Sequence, residues 1–259
     1  MKTNYFVLVI ILSVFFSQKS FSQFGFSHEV GVITGPVIFY SDYGQRNNIE
    51  TNMKNVGYGV GLIHYMNFAY RADCNCYTRD TYFNDHFKVR TELSYHTSKF
   101  EHFGRWVDPS KTSLTARQLR GMRGSTSVFD IGSQLEYFPL SIRDFVAGSY
   151  KIAPFVSLGA HWVNFSPDNY TVFEPAFNES LYPDKYGEDA RSTKPGTTWS
   201  VVWSLGFRYK LTRMSDLMLD GRWQYYFSNW VEGLNPDVPE NKANDWIYWL
   251  NIGYVLYLD

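Results

Sequence analysis

Along His86–Thr97 the chain alternates residue by residue. Phe87, Val89, Thr91, Leu93, Tyr95 and Thr97 fall on one side, and Lys88, Arg90, Glu92, Ser94 and His96 on the other. Successive side chains of an extended strand point to opposite faces, so this stretch predicts a strand with an apolar wall and an ionic wall. The pattern recurs in seven further stretches, at about 27–40, 56–67, 126–138, 150–163, 198–210, 216–228 and 245–258. In the second of these eight strands Gly57, Gly59 and Gly61 share the inward face, leaving room for larger neighbours. The last strand alternates least cleanly, because Ile247 and Val255 share a face with Asn251, Gly253 and Tyr257. Gly35-Pro36 in the first strand predicts a bulge, since proline cannot donate to a ladder.

No segment supplies a second layer to cover so many apolar faces. The pattern therefore predicts an all-β fold: an eight-stranded antiparallel transmembrane β-barrel with long extracellular loops, apolar outward and polar inward. The alternative is a secreted β-sandwich whose aromatic-rich strands pack into a core. Connection lengths separate the two. With the N-terminus periplasmic, the external connections run at about 41–55, 99–125, 164–197 and 229–244, against 68–85, 139–149 and 211–215 below. External loops should be the longer ones, and all but the first periplasmic connection obey.

Aromatic positions give a second test. In this register Trp162, Trp199, Phe227 and Trp246 lie outward near the external rim, and Phe87, Tyr137, Tyr150 and Tyr209 outward near the periplasmic rim. Two girdles at headgroup level are expected of a membrane barrel. Aromatics make up 19% of the 259 residues, while mean hydropathy is only −0.30, as suits strands that are half polar.

Residues 1–22 have the pattern of a secretory signal, with Lys2, an apolar run from Tyr5 to Phe16 and Ser20-Phe21-Ser22 before Gln23. The barrel domain is then expected over 23–259. Loss of Lys2 and Lys19 with the leader takes the formal charge from −1 to about −3, which gives no reason to expect a nucleic-acid partner. Outer-membrane lipid is the expected surrounding.

An eight-stranded barrel is filled by side chains rather than open. The inward set contains Glu29, Glu92, Asp130, Glu136 and Asp220 against Lys88, Arg90, Lys151, Arg208 and Arg222. Equal numbers of each sign in a narrow lumen predict an ion-paired plug centred on Glu92, Asp130, Arg90 and Arg222. A conduction pathway along the same residues is the competing reading, opposed by width and charge balance.

Cys74 and Cys76 are the only cysteines and lie in the long first periplasmic connection. In an oxidising compartment they suit a loop disulfide or an intermolecular link, with a redox role as the alternative. Two thiolates make a poor zinc site, so no metal and no cofactor is expected. A lipid-modifying enzyme would need an outward His and Ser with an acidic orienter. His64 is outward without such partners, and His96, Ser98, Ser157 and His161 fall inward or just beyond the strand, so the chain is read as non-enzymatic. The external loops carry Trp106, Tyr170, Phe173, Phe177, Tyr182, Tyr186 and Trp230, either as a binding surface or as packing that closes the top.

SDYG at 41–44, KVRTELSY at 88–95, QLEYF at 134–138 and APFVSLG at 153–159 resemble the small outer-membrane barrels of Bacteroidota. Within that group they are similar to the PorG-type barrels of the type 9 secretion and gliding apparatus. The resemblance implies a non-enzymatic membrane anchor for periplasmic or membrane protein partners. Docking would then use 71–85 and 141–149. The cysteine-bearing connection and the long loop after Asn164 depart from that pattern.

Overall fold

The computed structural model describes residues 26–43, 48–68, 82–238 and 243–258. The expected leader and both cysteines, Cys74 and Cys76, lie outside the described residues. Eight strands close in sequence order into an antiparallel barrel: β1 (Ser27–Tyr40), β2 (Val56–Asn67), β3 (Phe87–Glu101), β4 (Met122–Tyr137), β5 (Ile152–Thr171), β6 (Gly196–Thr212), β7 (Ser215–Tyr226) and β8 (Trp246–Tyr257). The seam joins β1 to β8, with Glu29 opposite Tyr257 and Tyr40 opposite Trp246. Closure satisfies every strand edge internally, which a hydrocarbon surrounding demands.

Among the described residues four short α-helices decorate the ends: α1 (Ile49–Asn52), α2 (Tyr82–His86), α3 (Leu114–Gly121) and α4 (Ile142–Ala147). The barrel begins and ends at one mouth. That mouth also holds the two-residue β6–β7 turn of Arg213 and Met214, which marks it as periplasmic. The opposite mouth carries α1, α3 and long loops, although the β2–β3 connection at the periplasmic mouth is longer than the β1–β2 loop above.

β4 and β5 run further outward than hydrophobic alternation predicts, with Met122 paired to Thr171. Above the lipid the outward positions Asn164, Ser166 and Asp168 face water, so the alternation of polarity ends while the hydrogen-bonded ladder continues. The bulge expected at Gly35-Pro36 is absent. The register of β1 against both β2 and β8 is unbroken across it, and Pro36 merely leaves a gap in the ladder toward β8. Gly35 answers to a different constraint: a Cβ there would stand 1.8 Å from the Leu250 carbonyl oxygen. Among the described residues, the one register shift in the barrel's ladders is between Lys210 and Thr212.

The mixed polarity of β8 also has a cause. Its inward face supplies Trp249, fully buried and seated over Gly59, where a Cβ would come 2.3 Å from the indole. The glycine stripe of β2 and the large residue of β8 are complementary parts of one packing.

Candidate functional site

The lumen is built by the inward positions of all eight strands. Glu29 lies between Lys88 (2.5 Å) and Arg208 (2.5 Å). Arg208 also reaches Glu136 (3.5 Å), which meets Arg90 (3.3 Å). Arg90 further binds Asp220 (3.0 Å) and Glu92 (2.8 Å), and Glu92 accepts from Arg222 at 2.5 Å. These residues are fully buried and form one connected ionic lattice. Aromatic faces complete it: the Arg208 guanidinium lies 4.0 Å from the Tyr65 ring centre and that of Arg222 lies 4.8 Å from Trp249. Charges removed from water persist only when paired, and each of these has an opposite charge within reach, although Arg90 Nε, Arg208 Nε, Arg222 Nε, Arg222 Nη1 and Asp220 Oδ1 make no hydrogen bond among the described residues.

Asp130 stands apart from the main lattice. Its carboxylate accepts from Gln224 (2.8 Å) and lies 3.8 Å from His96, whose Nε2 also meets the Tyr226 hydroxyl at 3.0 Å. Gln134 links His161 (3.3 Å), Ser157 (2.8 Å) and Glu92 (3.4 Å). Lys151 is not part of this interior. β5 starts one residue later, so the side chain lies exposed at the periplasmic mouth despite its inward phase. Its place is taken by Lys210 and Asp216, paired at 3.0 Å, with Tyr257 donating to Asp216 at 2.5 Å. Asp216 is in phase with Asp220 and Arg222 on β7, which is the signal that would have found it.

Described residues pack over both mouths. Below, α4 turns Ile142 and Phe145 into the barrel, and Lys210 lies 4.4 Å from the Phe145 ring centre. Tyr150 belongs to this plug rather than to a girdle. It precedes β5, its hydroxyl donates to the Ser141 carbonyl, and its ring packs 5.6 Å from Phe145. The remaining expected girdle residues lie on the outer wall. Phe87 contacts Tyr137 (5.1 Å), Trp246 stacks on Tyr40 (3.6 Å), and Trp162, Trp199, Tyr209 and Phe227 are exposed. The periodicity did not single out the stacked pair Trp203–Trp223, 4.0 Å apart across β6 and β7. His64 faces outward beside His28 (3.1 Å).

Above, the loops fold over the barrel as a crown. Thr126 donates to the Val231 carbonyl (2.6 Å), the Val231 N–H to Asp245 (3.0 Å), the Asp42 N–H to Glu232 (2.6 Å) and the Tyr186 hydroxyl to the Asp42 carbonyl (3.0 Å). Tyr43, Phe100, His102 and Tyr186 are buried in one aromatic stack beneath them. Burial, with Lys185 and Arg123 nearby, pushes the His102 imidazole down to about 3. Arg117 pairs with Glu179 (2.8 Å) and Gln118 donates to the Ser180 carbonyl (2.7 Å), joining α3 to the β5–β6 loop.

The loop aromatics divide accordingly. Tyr186 is buried, Tyr182 and Trp230 pack against the core, and Phe173 covers Gly121. Trp106, Tyr170 and Phe177 are exposed, Phe177 at 95%.

The outer wall is a continuous apolar surface carrying Val60, Leu62, Leu158, Leu205 and Ile252, all more than half exposed. Water does not tolerate so large an apolar patch on a monomer, whereas hydrocarbon requires it. No helix of the described residues is long and apolar enough to cross a membrane.

No family model matches the chain, and no curated protein matches it. Among solved structures it is similar to a major outer membrane protein from Thermus thermophilus, at 13% identity and TM-score 0.49, over 90% of this chain and 99% of that one. It is similar also to Neisserial surface protein A, at 14% identity and TM-score 0.42, over 90% and 96%. A third is Ail, the attachment invasion locus protein of Yersinia pestis, in complex with the heparin analogue sucrose octasulfate, at 10% identity and TM-score 0.39, over 90% and 97%. These are likenesses of fold. Closed topology, apolar wall and polar lumen together define the class: a small eight-stranded β-barrel of the bacterial outer membrane.

Proposed function

We propose that this barrel is a sealed, non-enzymatic scaffold that acts as a binding platform through its extracellular end. The observation that carries the reading is the pairing of a closed lumen with a folded crown. Among the described residues an ionic lattice fills the lumen and packed segments cover both mouths, which supports a sealed barrel, while the loops are hydrogen-bonded to one another and display Trp106, Tyr170 and Phe177. Exposed aromatics held on a rigid scaffold are what a recognition surface uses.

A second reading follows the resemblance to PorG-type barrels and places the partner in the periplasm. In its favour, α2 and α4 pack together through the Arg143 N–H donating to Asp85 (2.9 Å) and leave Tyr82, Phe83, Leu140 and Val146 exposed. One experiment tests both. Residues 174–181 are replaced by a Gly-Ser linker in one variant, and Phe83 and Val146 are changed to Asp in another. Each is checked for barrel assembly by gel mobility before and after boiling. The platform reading expects surface binding by whole cells to fall with the loop exchange alone. Unchanged surface binding, with periplasmic proteins lost from co-purification in the Asp variant, would transfer the function to the other face.

A further inference from the structure

We infer that the β3–β4 connection binds the phosphate groups of glycolipids in the external leaflet of the outer membrane. This inference rests on the barrel's membrane position and not on the platform reading.

The first observation is charge. Residues 99–123 contain six Lys and Arg against two Asp and Glu. The β5–β6 loop, 172–195, has three against five, and 227–245 has one against four. The excess of positive charge at this end is thus confined to one connection. Two of its cations are spent internally, Arg117 on Glu179 (2.8 Å) and Arg123 on Glu101 (3.2 Å). Among the described residues no carboxylate forms an ion pair with Lys99, Arg105, Lys111 or Arg120.

The second observation is arrangement. Arg105 and Lys111 both sit on the exposed indole of Trp106, with their charges 4.7 and 4.8 Å from the ring centre. Arg120 donates to the carbonyl oxygens of Asp108 and Lys111, each at 3.0 Å, which pins it beside the same turn. The exposed Asp108 carboxylate accepts from the Ser110 N–H (2.8 Å) and hydroxyl (2.5 Å), with Lys111 and Arg120 also lowering its pKa. Two like charges share one ring and a third is held beside the same turn, while Asp108 is, among the described residues, the one carboxylate within electrostatic reach of Lys111 and Arg120, so the cluster keeps a surplus of positive charge that an external anion would offset. Arginine and lysine around a planar ring suit a phosphorylated sugar, the cations taking phosphate and the indole a sugar face.

The third observation selects the lipid. Lys99 is exposed and follows Tyr95 and Thr97 in the same outward row of β3, paired across to Ser125. That row is the lipid-facing wall carried upward past Tyr95, so Lys99 leaves the membrane at headgroup level. The Trp106 cluster begins six residues further along the same connection. A cation near an anionic membrane surface contributes about 1 kcal/mol, or roughly fivefold in affinity.

The test uses the full barrel refolded in detergent. Binding of a bisphosphorylated glycolipid is titrated by native mass spectrometry, with its dephosphorylated form and a soluble sulfated polysaccharide as comparison probes. The variant combines Arg105→Ala, Lys111→Ala and Arg120→Ala; a second variant, Lys194→Ala, removes a cation from a different loop. Gel mobility before and after boiling establishes that each is folded. The expected results are an affinity loss on the order of a hundredfold in the triple variant, little change in Lys194→Ala, and weak binding of the dephosphorylated lipid. Equal binding by the triple variant, or by the dephosphorylated lipid, overturns the site. Tighter binding of the soluble polysaccharide than of the glycolipid overturns the choice of ligand.

Discussion

Arg90 is the residue on which the lumen depends most, since its guanidinium joins Glu92, Glu136 and Asp220. Replacing it by Met leaves three buried carboxylates short of one positive charge. A loss of about 3–5 kcal/mol is expected, read as a lower urea midpoint in the conversion from the cold to the boiled gel form. His102 gives a pH-dependent counterpart in the crown. Its folded pKa is about 3 against an ordinary 6.5, so between those values the unfolded loop binds the proton that the folded loop refuses. Crown stability contributed by neutral His102 is therefore whole above pH 6.5 and falls as pH drops toward 3. Proteolysis of the external loops should accelerate from about pH 7.5 to about pH 4 in the native chain, and His102→Phe should flatten that dependence. Alternation alone assigned inward and outward faces to residues such as Arg90 and Asp220. It gave no access to His102, whose burial comes from Tyr43 and Tyr186, residues distant in sequence and set in loops without periodicity.

At the scale of elements, strand existence was legible because each strand meets lipid on one side and a polar lumen on the other. Strand length was less so. Polarity alternates only inside the membrane, and β5 continues to Thr171 after its outward side has reached water. Lys151 and Tyr150 went astray for a related reason: their phase was right, but they precede the strand, and α4 draws that segment beneath the barrel. The β2–β8 fit carries a prediction at this scale. Gly59→Val drives a side chain into Trp249, so assembly of the barrel should fail or its urea midpoint should fall. Adding Trp249→Leu should restore part of the loss, whereas two independent effects would add.

For the whole molecule, the closing pair β1–β8 unites the two ends of the described barrel, so no strand is complete before its last partner arrives. Sequence reading reached this architecture but not the crown, which depends on contacts between loops far apart in the chain. The length of the β4–β5 hairpin has one more consequence. Twenty residues in β5 extend about 66 Å, or about 45 Å along the membrane normal at a 45° tilt, and the hydrocarbon layer takes only about 25–30 Å of that. The hairpin is therefore a mast. It holds part of the crown on the order of 15–20 Å clear of the hydrocarbon, so that end of the molecule is presented to the medium beyond the lipid.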